Sequence, residues 1–334
     1  MKRWKLVVTD FIEPDLEWEA QQFDQLGIEY SFHQLKLAAG SALAEITADA
    51  DIIITNMAKF DAKVIACLRN CKLIIRHGVG YDNIDVDAAS ARGIVVGYVP
   101  DYCVQEVAEQ SLMLILACRR KLCDQQVILR NSAQRREWEF ASIRPIFRLS
   151  GETIGIIGCG RVGGTVLRMA RGLGLKCLVC DPFIPDKRKQ ELGVETVSLD
   201  KLLRESDVVT VHVPLTDETH HLLGQREFDL MKANAVLVNT ARGAIVDLIA
   251  LDKTLRDGKL AFAGIDVYED QEPPEPDHPL LNNPRAICTA HLAWLSEESA
   301  WAIRARIVED VSRFLQGEVP HFQVNAGTRL RMED

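Results

Sequence analysis

The sequence predicts an α/β protein built from two doubly wound parallel-sheet domains. Short runs rich in Val, Ile and Leu recur along the whole chain, with helix-spaced segments between them. The runs are apolar almost throughout, as strands covered on both faces must be. At roughly 150 residues per domain, 334 residues supply two such units. The first set of strands is expected at 6–9, 51–55, 73–76 and 94–96. A helix follows over 104–122, with Glu106 and Glu109 in its first turns and Arg119, Arg120 and Lys121 at its end, a polarity that suits the helix dipole. The charged stretch 130–147, with Trp138 inside it, reads as an irregular loop or an arm that packs on a second subunit. The second set of strands is expected at 154–157, 176–180, 208–213, 235–239, 262–267 and 286–289. A last amphipathic helix over 297–316 carries Trp301, Ile303, Ile307, Val311 and Phe314 on one side.

Composition narrows the function classes. Hydrophobic residues make up 47% and charged residues 26%, so disorder and fibrous repeats are excluded. Lys and Arg number 39 against 48 Asp and Glu, and a net charge of -9 argues against nucleic acid and anionic membranes as partners. The nine cysteines are odd in number and mostly sit in apolar runs, the usage of reduced intracellular thiols. Cys177 and Cys180 form a CxxC, but they lie within one expected strand and read as buried structural thiols, so no metal site is expected. Asp10 ends the first apolar stretch before a signal-peptide core could form, which points to the cytoplasm.

The strongest local motif is Gly158-Cys159-Gly160-Arg161-Val162-Gly163, placed between an expected strand and a helix through Val166, Leu167 and Ala170. Glycines in this context let backbone approach a pyrophosphate, and the first N–H groups of the helix, from Arg161 and Val162, meet its charge. Asp181 ends the next strand, 23 positions after Gly158, where a carboxylate bonds the adenosine ribose. That acid argues for NAD rather than NADP. Other strands run into polar residues at the same sheet edge: His212, Val213 and Pro214; Thr240, Ala241 and Arg242; Asp266; and His291. An Arg to clamp a carboxylate, a His to exchange a proton and a nicotinamide to move hydride make up the inventory for reducing a 2-oxo acid. His212, two residues before Pro214, reads as packing near the cofactor edge rather than as a proton donor.

At these residues the chain resembles the D-isomer-specific 2-hydroxyacid dehydrogenases. The likeness runs through Gly78-Val79-Gly80-Tyr81-Asp82-Asn83-Ile84-Asp85, Val107-Ala108-Glu109, the glycine motif, Asn239-Thr240-Ala241-Arg242-Gly243, Asp266-Val267-Tyr268, Glu272-Pro273 and His291. It implies a flavodoxin-like substrate domain made of 1–100 and 292–334, with a Rossmann NAD-binding domain of 101–291 inserted and hinges near Pro100 and after His291. It also implies a homodimer joined mainly through the nucleotide domains, which gives the 130–147 arm a purpose. By the same resemblance Arg242 binds the substrate carboxylate or carbonyl, His291 is the general acid and base, and a paired Glu keeps that imidazole protonated. Asp266 is implied to contact the nicotinamide, and Val104, His212, Val213, Pro214 and Thr240 to line the cofactor cleft. The N–H groups of Val79 and Gly80 are implied to hold the substrate carboxylate. Arg76 and the run from His291 to Ser299 look most like the C-terminal-binding-protein branch, with Trp294 as a wall of the substrate pocket.

Two positions depart from the family pattern. Ala290 stands where a Pro usually precedes the catalytic His. The family Glu lies five positions after the Asp equivalent to Asp266, which here is Gln271, yet Glu272 directly precedes Pro273 as the family Glu does. A one-residue insertion reconciles the two, and Glu272 is the expected partner of His291. The function expected is an NAD-dependent dehydrogenase of a small 2-oxo or D-2-hydroxy acid. The alternative is an NAD(H)-sensing binding protein of corepressor type with vestigial catalysis. Phosphoglycerate oxidation is less expected, because the chain ends soon after its last helix.

Overall fold

A computed structural model describes residues 3–36, 38, 40–269 and 272–330. The chain divides into two compact units, Met1–Cys103 with Ser296–Asp334, and Val104–Leu295. The first holds β1 (Lys5–Val8), β2 (Glu29–Phe32), β3 (Ile52–Thr55), β4 (Leu73–Arg76) and β5 (Val95–Tyr98). All pair in parallel, in the order β2-β1-β3-β4-β5. This is the flavodoxin-like doubly wound order. Leu6, Ile52, Ile54, Leu73, Ile75 and Val95 face one core, which takes Ile303, Ile307, Val311 and Phe314 from the helix Glu297–Leu315. Ile53, Ile74 and Val96 face a second core with Phe60 and Ile65. Each central strand thus feeds two cores, and its sequence is continuously apolar for that reason.

Two readings need correction in this unit. Strand β2 was not expected: Glu-Tyr-Ser-Phe alternates polar and aromatic residues because it lies at the sheet edge, with Glu29 exposed and the other three half-buried. Trp301 was expected on the buried side of the last helix, but it is half exposed and packs its ring against Trp18 with centroids 4.7 Å apart.

The second unit holds β6 (Thr153–Ile157), β7 (Lys176–Cys180), β8 (Val208–Val211), β9 (Val236–Asn239), β10 (Phe262–Ile265) and β11 (Ala286–Cys288). They form one parallel sheet, β11-β10-β9-β8-β6-β7, and a single parallel bridge from Val179 to Thr196 lies beyond β7. Counting that bridge as a vestigial strand, the order is the 3-2-1-4-5-6 of dinucleotide-binding folds with β11 added as a seventh strand beside β10. The helix expected over 104–122 stops at Arg119, because Lys121 adopts φ 50° and turns the chain into a second helix, Leu122–Arg135. The beginning of the 130–147 stretch is therefore helical. Arg119 is not a solvated helix end but is buried, bonding the Asn234 carbonyl at 2.8 Å and pairing with Glu152. Past that second helix, Trp138 and Phe140 stack on each other while each stays 66% exposed. Cys177 and Cys180 are half-buried free thiols, and burial raises both. Among the described residues, no helix is long and apolar enough to cross a membrane.

Candidate active site

In an open parallel sheet, ligands bind outside the carboxyl ends of the strands where the winding direction reverses. In the second unit that point lies between β6 and β8, and the glycine motif and His212 leave it together. Gly158 takes φ +85°, and a Cβ there would lie 2.8 Å from the His212 carbonyl oxygen. A Cβ at Gly163 would lie 2.1 Å from the Gly158 carbonyl oxygen. These two glycines are required by the loop and by its packing on the helix Arg161–Gly172. Gly160 differs: a Cβ there would meet open space, and as N-cap it offers the helix no side-chain acceptor. Among the described residues nothing demands a glycine at 160, so close approach of an anionic group to backbone and helix N-terminus supplies the reason. The residues present fit a dinucleotide pyrophosphate.

Asp181, at the end of β7, accepts the Cys159 N–H at 2.8 Å and the Phe183 N–H at 3.1 Å. Its carboxylate is therefore fixed against the glycine loop. Val213 reaches the same loop, since its Cγ1 would meet a Cβ at Gly158. The Pro214 carbonyl accepts the Thr219 hydroxyl at 2.7 Å. Thr240, at the end of β9, is buried and shares a hydrogen bond of 2.8 Å with Ser111, on the helix that begins at Val104. His212 Nε2 lies 3.0 Å from the Thr210 hydroxyl, and burial pushes this imidazole down to about 3.

The loop after β9 is shaped by Asn239. Its side chain accepts the Ala241 N–H at 3.0 Å and donates to the Arg242 carbonyl at 2.8 Å, turning the chain so that Arg242 leaves the sheet edge. Gly243 follows because a Cβ would lie 1.9 Å from the Tyr268 carbonyl carbon. The loops after β9 and β10 thus touch backbone to backbone.

Beyond β11, His291 adopts φ 53°, a left-handed conformation uncommon for a residue with a side chain. What holds it there is Asp266. This fully buried carboxylate accepts the Thr289 hydroxyl, the Leu292 N–H at 3.3 Å, the Ala293 N–H at 3.0 Å and the Gln110 amide at 3.4 Å. The resemblance directs Asp266 to the nicotinamide; its carboxylate here is engaged with the chain on both sides of His291. His291 Nδ1 bonds Glu272 Oε2, and Glu272 Oε1 accepts the Tyr268 N–H at 2.9 Å. Burial raises the Glu272 carboxyl, but the His291 hydrogen bond and charge, the Tyr268 N–H and the Arg242 charge outweigh it and hold the group below its ordinary value. Gln271 lies outside the described residues. With Nδ1 engaged, the His291 side chain is 35% exposed. Trp294 lies half-buried three residues on.

In the first unit, Arg76 ends β4 and folds its guanidinium over Gly78, whose φ is +148°. Val79 is exposed and Gly80 half-buried, and the Gly78 carbonyl accepts the Val99 N–H at 3.0 Å. His77, next to Arg76, is buried against Glu13 with 3.2 Å between Nε2 and Oε1. The second unit gathers Gly158 to Gly163, Asp181, His212, Thr240, Arg242, Asp266, Glu272 and His291 along one sheet edge. Gln110, Asn239, Tyr268 and Thr289 position that set and escaped sequence reasoning as site residues. Asn239 and Tyr268 lay inside quoted motifs, whereas Gln110 and Thr289 carried no local signal.

This arrangement defines a class: an oxidoreductase with a dinucleotide-binding fold and an imidazole–carboxylate pair at its sheet edge. Residues 112–293 match the family model described as D-isomer specific 2-hydroxyacid dehydrogenase, NAD binding domain. A glyoxylate reductase of Korarchaeum cryptofilum is 37% identical over 288 residues, covering 85% of each chain. A D-3-phosphoglycerate dehydrogenase of Archaeoglobus fulgidus is 41% identical over 80% of this chain, which spans only 49% of that longer relative. The crystal structure of D-lactate dehydrogenase from Aquifex aeolicus, complexed with NAD and lactic acid, superimposes with a TM-score of 0.84 at 28% identity, covering 96% of this chain and 98% of that one. The chain belongs to the D-isomer-specific 2-hydroxyacid dehydrogenase family, whose cofactor is a nicotinamide dinucleotide.

Proposed function

We propose that this protein interconverts a small 2-oxo acid and its D-2-hydroxy acid with NAD(H). The observation that carries the reading is the His291–Glu272 pair, with the Arg242 charge near Glu272, on the same sheet edge as the glycine loop. When bound, the nicotinamide supplies or accepts the hydride. His291 Nε2 gives a proton to the 2-oxygen during reduction and removes it during oxidation, while Glu272 on Nδ1 orients the ring. Arg242 binds the substrate carboxylate or carbonyl and stabilises the negative charge that develops on oxygen. Asp266 sets the backbone of His291 in its left-handed conformation, and Gly158, Gly160, Arg161, Val162, Gly163 and Asp181 hold the dinucleotide with Val104, His212, Val213, Pro214 and Thr240.

In this reading the Val104–Leu295 unit is the nucleotide domain and the other unit contributes Arg76, Val79 and Gly80 to the substrate, with Trp294 as a pocket wall. Arg76 and the run from His291 to Ser299 support a place in the C-terminal-binding-protein branch. The exposed pair Trp138 and Phe140 supports a homodimer. Free cysteines suit the cytoplasm. Retention of Arg242, Glu272 and His291 together favours the enzyme over a protein that only senses the nucleotide.

The test is NADH oxidation with a panel of glyoxylate, hydroxypyruvate, pyruvate, and branched-chain, thioether and phenyl 2-oxo acids. Turnover of at least one, with a D-configured product, is expected; no turnover of any contradicts the reading. Asp181→Ala narrows the preference for NADH over NADPH by weakening NADH, because the carboxylate bonds ribose hydroxyls and repels a 2'-phosphate.

A further inference from the structure

Beside the turn that follows Arg242, three ligand-type side chains converge. His221 Nε2 lies 2.6 Å from Glu269 Oε1, His220 Nε2 lies 3.7 Å from the same oxygen, and all three ligand atoms fall within 4.8 Å of one another. Consecutive side chains ordinarily diverge. Here His221 takes φ 49°, and the two imidazoles stack with centroids 4.2 Å apart and planes 27° from parallel, presenting both Nε2 atoms to one carboxylate.

We propose that His220, His221 and Glu269 form a divalent transition-metal site that takes Zn²⁺. Two imidazoles and one carboxylate suit Zn²⁺, whereas Mg²⁺ and Ca²⁺ need more oxygen ligands. Ligand atoms about 2.0–2.2 Å from a tetrahedral ion stand roughly 3.4 Å apart, and the observed 2.6 and 3.7 Å bracket that spacing. Small rotations of the side chains therefore admit the ion, with the fourth position left to water. The backbone that carries the ligands is already pinned. The His221 N–H bonds the Ala244 carbonyl at 2.8 Å and the Leu223 N–H bonds the Ile245 carbonyl at 3.1 Å. On the other side of the same segment, a Cβ at Gly243 would lie 2.3 Å from the Glu269 nitrogen. Both ligand loops thus abut the turn that follows Arg242, and the exposure of the histidine side chains, 55% and 38%, gives the ion a way in.

The ion clamps these loops. Glu269 follows Tyr268, whose N–H donates to Glu272, so a metal that draws Glu269 to the histidines tethers backbone beside the His291 pair. That consequence for turnover rests on the proposed function; binding of the ion does not.

The experiment uses the untagged full chain, stripped with chelator, titrated calorimetrically with Zn²⁺ and separately with Mg²⁺. One Zn²⁺ per chain and no Mg²⁺ uptake are expected. His220→Ala, His221→Ala and Glu269→Gln, each shown folded by circular dichroism, weaken Zn²⁺ by at least roughly tenfold. His291→Asn leaves the affinity unchanged, and Co²⁺ in place of Zn²⁺ gives visible absorption without a thiolate band, placing the ion away from the active pair and from exposed Cys67 and Cys123. Absence of Zn²⁺ binding to the folded chain, an affinity indifferent to all three variants, loss in His291→Asn, or a thiolate band overturns the proposal. These readouts require no turnover, so they fail or hold separately from the oxo-acid assay.

Discussion

His212 and His291 follow two strands of the same sheet and emerge at the same edge, yet their surroundings assign them opposite chemistry. His212 is packed beside the glycine loop with a neutral hydroxyl as its partner, and burial drives its pKa down to about 3. It is uncharged at every physiological pH and cannot donate a proton to a carbonyl. His291 keeps a third of its side chain exposed and has the Glu272 carboxylate as the partner of Nδ1. Even its backbone is special, held at positive φ by an acid that serves the neighbouring N–H groups. Position at the sheet edge makes a histidine a candidate; partner and solvation decide what it does.

Substitutions that separate the two histidines probe this comparison. His291→Asn has the largest expected effect, a fall of about 10²–10⁴ in kcat for oxo-acid reduction, with NADH affinity by fluorescence nearly unchanged. Arg242→Ala is next, lowering kcat/KM by about 10²–10³ for every 2-oxo acid in the panel, because the shared carboxylate and oxyanion lose their partner. A loss confined to some substrates would show that Arg242 reads the side chain instead. His212→Gln has the smallest effect on kcat and a distinct signature in stability. The fold lowers the His212 pKa from an unfolded value of 6.5, so neutral His212 stabilises the native state above that pH, and the contribution is lost as pH falls toward 3. At pH 5 the loss amounts to about 2 kcal/mol. Glu272, also held below its unfolded value, adds acid sensitivity in the same direction at lower pH. Thermal melts of His212→Gln should therefore fall less between pH 7 and pH 5 than those of the wild type; an equal fall would show that His212 is not held neutral.

The central strands were legible because burial on both faces leaves apolar runs that turn polar only at their carboxyl ends, as in Ile52–Thr55 and Val236–Asn239. The same logic hides β2, whose edge position lets Glu29 and Ser31 stay in the strand. The break at Lys121 was invisible because the left-handed residue there is a lysine rather than the glycine that usually marks such a turn. At the site, the glycine motif and the polar strand ends were readable from spacing alone. The service of Asp266 to the His291 backbone was not, since it depends on hydrogen bonds to Thr289 and Ala293 that only the folded loop creates. Spacing alone also left Gln271 and Glu272 competing for one slot. The fold sets the Glu272 carboxylate on His291 and uses its second oxygen on Tyr268.

The most direct measurement is kcat for 2-oxo-acid reduction by the wild type and by Glu272→Gln at pH 7 and saturating NADH. An amide can still accept the Nδ1–H hydrogen bond that the carboxylate accepts, but it carries no charge to balance the one that moves through the imidazole during proton transfer. The account predicts that Glu272→Gln loses about 10²-fold in kcat with NADH affinity by fluorescence retained. Activity equal to that of the wild type would contradict the assignment of Glu272 and His291 as the proton-transferring pair.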